Sequence, residues 1–264
     1  MAQLLIDGRR LAYERLGDGF PTIFLNGSGS TMAKAEPLWR SLALGREILA
    51  HDYCGLGASD GGPPVSMASF ASDTVALADE LGWDEFDLLG VSFGGMVALE
   101  LVCSFPRRCR RLVLMCTSAG GMCGASYPLH ELLDIGPDER RRRMPSISDI
   151  RFTDEYLTDH PNLRLLIDQS IEDRPPTAGE REQMAARRLH DVCSRLDRVE
   201  AETLVMAGEF DGIAPPANGR AIAERIDGAT YREYIGGHMF FIQDGRAMVD
   251  ALDFLNGGRE RLGR

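Results

Sequence analysis

Residues 86–101 read Phe86-Asp87-Leu88-Leu89-Gly90-Val91-Ser92-Phe93-Gly94-Gly95-Met96-Val97-Ala98-Leu99-Glu100-Leu101. The first six form a short, near-continuous apolar run, the composition of a strand covered on both faces of a sheet. The residues after Ser92 are apolar over a length that suits a helix. Glycines flank the serine in Gly90-Val91-Ser92-Phe93-Gly94, where a strand and the helix that follows it approach too closely for a Cβ. A chain that turns this tightly presents the Ser92 hydroxyl at the top of the sheet.

The same Gly-x-Ser-x-Gly spacing recurs at Gly57-Ala58-Ser59-Asp60-Gly61. With 29 glycines in 264 residues the pattern alone proves little, and context must discriminate. Ser59 follows Cys54-Gly55-Leu56-Gly57 and precedes Gly61-Gly62, loop chemistry on both sides, so it reads as a turn residue. Asp52, just upstream, reads as a brace for that turn through its side chain.

On either side of residues 86–101, β-rich runs alternate with helical patterns. Strands are expected at Gln3–Ile6, Arg10–Arg15, Thr22–Leu25, Glu47–His51, Phe86–Val91, Arg111–Met115, Leu204–Ala207 and Tyr231–Ile235. Helices are expected at about Glu36–Ala43, Ala68–Leu81, Phe93–Ser104, Asn218–Ile226 and Gly245–Leu255. This alternation predicts an α/β fold, a mostly parallel eight-stranded sheet with helices on both faces. Between Cys116 and Arg198 the strand signals vanish. Amphipathic helical stretches replace them, separated by Gly136-Pro137, Pro145, Pro161 and Pro175-Pro176. The expected organisation is a core from residues 1–118 and 199–264, with residues 119–198 forming a helical lid inserted after the sixth strand.

A serine hydroxyl is a weak nucleophile and needs a base within hydrogen-bond reach, itself oriented by a carboxylate. Of the five histidines, His51 falls in a strand, and His130, His160 and His190 fall on polar-rich faces of the insertion. His238 follows the last strand in Ile235-Gly236-Gly237-His238-Met239-Phe240-Phe241, at the sheet edge where Ser92 should also emerge. Asp211, in Gly208-Glu209-Phe210-Asp211-Gly212, follows the preceding strand and is the candidate carboxylate, with Glu209 as a weaker second. An ordinary Asp-Gly turn is the competing reading for Asp211.

The order Ser92, Asp211, His238, each after a strand, resembles the α/β-hydrolase family over nearly the whole chain. Asn26-Gly27-Ser28-Gly29 is similar to that family's His-Gly-x-Gly loop, and His51-Asp52-Tyr53-Cys54-Gly55-Leu56-Gly57-Ala58-Ser59 to its Asp-x-x-Gly-x-Gly-x-Ser turn. Asn26 stands where the family commonly has His, and Cys54 where Arg is frequent. The resemblance implies Ser92 as nucleophile, His238 as general base and then acid, and Asp211 as the group that fixes the imidazole. It also implies an oxyanion hole from the backbone N–H groups of Ser28 and Phe93. Activity should then climb as His238 loses its proton. Asn26, Met96, Met239 and Phe240 lie close enough to these motifs to be candidate substrate contacts, with Tyr127, Phe152 and Tyr156 of the insertion above them.

A serine nucleophile with no metal-ligand spacing and no cofactor fingerprint implies acyl transfer to water. The expected substrate is a small to medium-sized carboxylic ester or lactone, with no cofactor and no metal. The carbon–carbon hydrolases of meta-cleavage products are the second reading. That group usually carries Asn before the nucleophile and Trp after the base, where this chain has Val91 and Met239. A non-catalytic ligand-binding use of the same fold is the third.

Composition sets outer bounds. The 29 basic and 40 acidic side chains give a net charge of −11, which repels phosphate backbones, so no nucleic-acid partner is expected. Asp7, Arg9, Arg10 and Glu14 interrupt the N-terminal apolar residues, and no window approaches the ~18–20 apolar residues of a membrane span, so a cytoplasmic protein without a membrane partner is expected. The six cysteines show no Cys-x-x-Cys pair and read as reduced, packed thiols. Arg140–Arg143 reads as a solvated helix face beside Asp138 and Glu139.

Overall fold

A computed structural model describes residues 1–62, 66–170 and 174–258, apart from the side chains of residues 169 and 170. The strands are β1 (Ala2–Ile6), β2 (Arg9–Leu16), β3 (Phe20–Leu25), β4 (Arg46–His51), β5 (Phe86–Val91), β6 (Cys109–Met115), β7 (Glu202–Gly208) and β8 (Thr230–Tyr234). They form one eight-stranded sheet in the order β1-β2-β4-β3-β5-β6-β7-β8. The β1–β2 and β2–β4 pairs are antiparallel, and every other pair is parallel. All eight expected strands are present, with ends that move by one or two residues.

Among the described residues ten α-helices accompany the sheet: α1 (Glu36–Ser41), α2 (Met67–Glu80), α3 (Phe93–Ser104), α4 (Pro137–Ser148), α5 (Asp154–Asp159), α6 (Pro161–Ser170), α7 (Ala178–Arg188), α8 (Pro216–Ala223), α9 (Phe240–Gln243) and α10 (Arg246–Leu255). Two apolar clusters fill the space between sheet and helices. One gathers Leu88, Leu112 and Val205 with side chains of α2, α3 and α8. The other gathers Leu89, Val113 and Met206 with side chains of α1, α9 and α10. Alternate residues of the central strands thus point to opposite cores, which is why β5 and β6 read as unbroken apolar runs.

Asp87 is the polar interruption in β5 and is fully buried. Its carboxylate accepts from the buried guanidinium of Arg46, from Arg110 Nη2 at 2.8 Å and from the Arg111 backbone N–H at 3.1 Å. A buried carboxylate is tolerable because its acceptor sites are filled by cations and an amide.

Between β6 and β7 the described residues hold no strand, and α4 to α7 occupy the interval. Three expectations fail here. Pro145 does not separate two helices but sits inside α4; its ring is buried, and the ladder resumes with Asp149 N–H on the Pro145 carbonyl at 2.9 Å. Burial of the ring outweighs one missing backbone donor. Cys123 and Cys193 are not reduced thiols but a disulfide, their Cα atoms 5.6 Å apart across 70 residues. His190 is not on a polar face but is buried at 8% exposure. Among the described residues no helix is long and apolar enough to cross a membrane.

Candidate active site

Ser92 joins β5 to α3 with φ +54° and ψ −112°, a conformation that non-glycine residues rarely adopt. Neighbours hold it there. Its N–H donates to the Met115 carbonyl at 2.8 Å, and its own carbonyl accepts from Thr117 Oγ1 at 2.7 Å. The turn closes so tightly that a Cβ on Gly94 would lie 2.0 Å from the Leu25 carbonyl oxygen, and one on Gly90 2.5 Å from the Gly94 oxygen. Only glycine fits at either position, which is the reason for the spacing seen in the sequence.

His238 reaches Ser92 from the loop after β8. Its Nε2 lies 2.9 Å from Ser92 Oγ, and its Nδ1 lies 2.8 Å from Asp211 Oδ2. The second carboxylate oxygen of Asp211 accepts from the Ile213 and Ala214 N–H groups at 2.8 and 2.9 Å, so the same side chain closes the Asp-Gly turn and meets His238. The His238 N–H donates to the Ser148 carbonyl at the end of α4, at 2.6 Å. The three side chains are buried at 7%, 9% and 3% exposure for Ser92, His238 and Asp211.

Cys116, expected only as a packed thiol, lies beside this group at the end of β6, with φ +45°. Its Sγ lies within 4.8 Å of a carboxylate oxygen of Asp211 and a ring nitrogen of His238. Burial and the Asp211 charge push its thiol well above the usual range, so it stays protonated. A protonated thiol and an imidazole nitrogen already bonded to a carboxylate are a poor donor set for a metal. The sequence signal that could have found Cys116 is its place at the end of the strand next to β5.

The loop Asn26–Gly29 runs alongside Ser92, and a Cβ on Gly27 would sit 3.8 Å from Ser92 Cβ. Among the described residues the N–H groups of Ser28 and Phe93 donate to no protein acceptor. Phe93 is the first residue of α3, so its N–H lies at the positive end of that helix dipole. Gly29 N–H is instead held by Gln183 Oε1 of α7 at 2.7 Å, a contact the sequence did not announce. Asp52 braces its own turn through Ala58 N–H at 2.9 Å, and the loop after β3 through Met32 N–H at 2.7 Å. Ser59 stays in that turn, its Oγ donating to the Asp52 carbonyl at 2.7 Å.

A cavity of about 640 Å³ opens over Ser92 and His238. Asn26, Ser28, Met239, Phe241 and Ile242 line it, and Leu129, Met144 and Ser148 contribute from the segment between β6 and β7. Asn26 Nδ2 and Ser28 Oγ are buried with no partner. Two expected contacts lie elsewhere. Met96 is buried on α3 and lines a different cavity, because α3 is buried on nearly every side and its periodicity could not say which face meets which neighbour. Phe240 is fully buried in the core, stacked on Tyr234 with ring centroids 5.3 Å apart, and it is Phe241 and Ile242 that face the cavity. Tyr127, Phe152 and Tyr156 do not line it either; Phe152 and Tyr156 stack in sequence with His160.

The arginine run divides. Arg141 pairs with Asp138, and Arg142 and Arg143 pair with Glu139, as a solvated face does. Arg140 turns inward and lines a side cavity of about 220 Å³ that shares Ser28, Leu129 and Met144 with the main one. Its Nε is buried without a partner.

Over residues 21–245 the sequence matches the alpha/beta hydrolase fold family. It is 28% identical over 247 residues to a poly(3-hydroxyalkanoate) depolymerase of Ectopseudomonas oleovorans, covering 91% of this chain and 86% of that one. It is 31% identical over 242 residues to a 2-hydroxymuconate semialdehyde hydrolase of Pseudomonas sp. strain CF600, covering 85% and 82%. A crystal structure of a hydrolase from Pseudomonas aeruginosa PA01 matches with a TM-score of 0.81 at 25% identity, covering 97% and 98%. An elbow serine, an imidazole and a carboxylate converge at the rim of a mostly parallel sheet, and the relatives are hydrolases on the same scaffold: the chain belongs to the alpha/beta hydrolase fold family.

Proposed function

We propose that the chain is a serine hydrolase that cleaves a small to medium-sized carboxylic ester or lactone through an acyl-enzyme. The observation that carries this reading is the unbroken relay from Ser92 Oγ to His238 Nε2 at 2.9 Å and from His238 Nδ1 to Asp211 Oδ2 at 2.8 Å. His238 accepts the Ser92 proton as Oγ attacks the ester carbonyl, and the imidazolium is stabilised by Asp211. The Ser28 and Phe93 N–H groups receive the oxyanion, each worth about 3–4 kcal/mol of barrier. The imidazolium then protonates the leaving alcohol. In the second half the now neutral imidazole takes a proton from water as the water oxygen attacks the acyl carbon, and the imidazolium returns that proton to Ser92 Oγ as the acyl C–Oγ bond breaks, which releases the acid and restores Ser92.

The cavity of about 640 Å³ falls in the range for small ligands. Leu129, Met144 and Ser148 among its walls support reading residues 119–198 as a lid over the site, and truncation there should alter substrate preference more than acyl transfer. The polyester named for the depolymerase relative agrees with ester chemistry.

A second reading, carbon–carbon cleavage of a meta-cleavage product, is favoured by the identity of 31% to the 2-hydroxymuconate semialdehyde hydrolase. The deciding experiment compares p-nitrophenyl esters, simple lactones and a dienoate ring-fission product on the intact chain and on Ser92→Ala. Ester or lactone turnover that exceeds dienoate turnover and vanishes in Ser92→Ala is the expected outcome. Preference for the dienoate by orders of magnitude would replace the first reading with the second. No turnover of any of the three by folded protein would leave a ligand-binding role.

A further inference from the structure

A second cavity, of about 240 Å³, lies between the loop after β6 and the C-terminal end of α7 and shares no wall residue with the one over Ser92. Two of its residues are more than nine-tenths buried and incompletely bonded. Arg187 is 6% exposed; its Nη1 donates to the Tyr127 carbonyl at 2.9 Å and its Nη2 to Ser126 Oγ at 2.7 Å, while its Nε has no partner. His190 is 8% exposed; neither ring nitrogen makes a well-formed hydrogen bond, although the Ser118 backbone lies beside the ring.

Charge is the stronger observation. Both protein acceptors on Arg187 are neutral, and no carboxylate pairs with it among the described residues. Burial alone lowers its guanidinium to about 10, so it remains a cation at neutral pH. Among the described residues the other buried arginine, Arg46, meets the Asp87 carboxylate. The carboxylates whose charge reaches the His190 ring are Glu100, which holds Arg195 at 2.6 Å, and Asp191, which accepts the Cys193 N–H at 3.1 Å; neither pairs with Arg187. A buried guanidinium without counter-charge is costly, and water can satisfy its N–H but not its charge.

We propose that this cavity binds a small oxyanion, a carboxylate or inorganic phosphate, whose oxygens accept from Arg187 Nε and the His190 ring and whose charge balances the guanidinium. The ligand class follows from the unbalanced charge of the guanidinium and its open N–H at Nε, with Nη1 and Nη2 already donating to Tyr127 and Ser126, which together call for an anionic oxygen acceptor. The Ser118 and Ser126 hydroxyls and the exposed Arg188 at the mouth complete a polar lining that suits such an anion.

The test is calorimetry and thermal unfolding of the intact chain in phosphate-free buffer, with inorganic phosphate and acetate titrated separately. The expected result is saturable heat for one or both anions and a Tm rise of about 5 °C or more at roughly 100 times Kd. The anion that saturates identifies the source. Arg187→Met should abolish the saturable response, and His190→Leu should weaken it about tenfold or more. General salting-in or salting-out would act equally on all three proteins. Should Arg187→Met fail to fold, His190→Leu and Arg187→Lys carry the comparison. No saturable heat for either anion, or the same affinity in the variants that fold, would overturn the proposal.

Discussion

Ser92 Oγ and His238 Nε2 lie 2.9 Å apart although 146 residues separate them in the chain. Ser92 is held by an elbow whose backbone no ordinary side chain could enter at Gly90 or Gly94, and His238 by its N–H on the Ser148 carbonyl. Both ends of the contact are positioned before any substrate arrives.

Asp211→Asn keeps the shape of the carboxylate but can present an N–H to His238 Nδ1, which favours the wrong tautomer. Turnover of a p-nitrophenyl ester should fall by about 10⁴-fold with the circular dichroism unchanged. A loss under tenfold would remove Asp211 from the proposed role.

Gly94→Ala would place a methyl 2.0 Å from the Leu25 carbonyl oxygen, so the elbow must open or the helix must shift. The expected outcome is near-complete loss of ester turnover with a lowered Tm. Full activity in this variant would mean the turn is looser than described.

Asp87→Ala removes the carboxylate that Arg46 and Arg110 meet inside the sheet. Stability should drop by roughly 3–5 kcal/mol, because Arg46 is left as an unpaired buried charge. Urea unfolding checks this, and a change under about 1 kcal/mol would contradict it.

His51 and His190 are both lowered to about 4 by burial. Their folded pKa lies below the unfolded value of about 6.5, so between these limits the unfolded chain binds more protons. The stability they contribute is complete above pH ~6.5 and is lost as pH falls toward 4, by up to roughly 3 kcal/mol for each. Urea unfolding at pH 7 and pH 5 should show the decline, and His51→Gln should reduce its slope. Equal stability at the two pH values would contradict buried neutral imidazoles.

What was legible in the sequence was local or periodic. The elbow could be read because its glycines, its strand and its helix are contiguous, and the places of Asp211 and His238 followed from strands that end just before them. Pairings across the insertion could not be read. Cys123 and Cys193 approach each other only because the loop after β6 and the segment before β7 fold side by side, and no spacing encodes that. His190 looked polar because its neighbours Arg187, Arg188 and Asp191 are charged, yet Arg187 is buried with it. Around His238 the run Met239-Phe240-Phe241-Ile242 is apolar throughout, so one turn of helix sends Phe240 to the core and the others to the cavity without a pattern to distinguish them.

The central claim is that Ser92 is an activated nucleophile, and the most direct measurement is reaction of the intact chain with a fluorophosphonate probe followed by peptide mass spectrometry. One stoichiometric adduct on Ser92, absent from Ser92→Ala and strongly slowed in His238→Ala, is the expected result. An adduct that persists in Ser92→Ala, or none at all in folded protein, would contradict it.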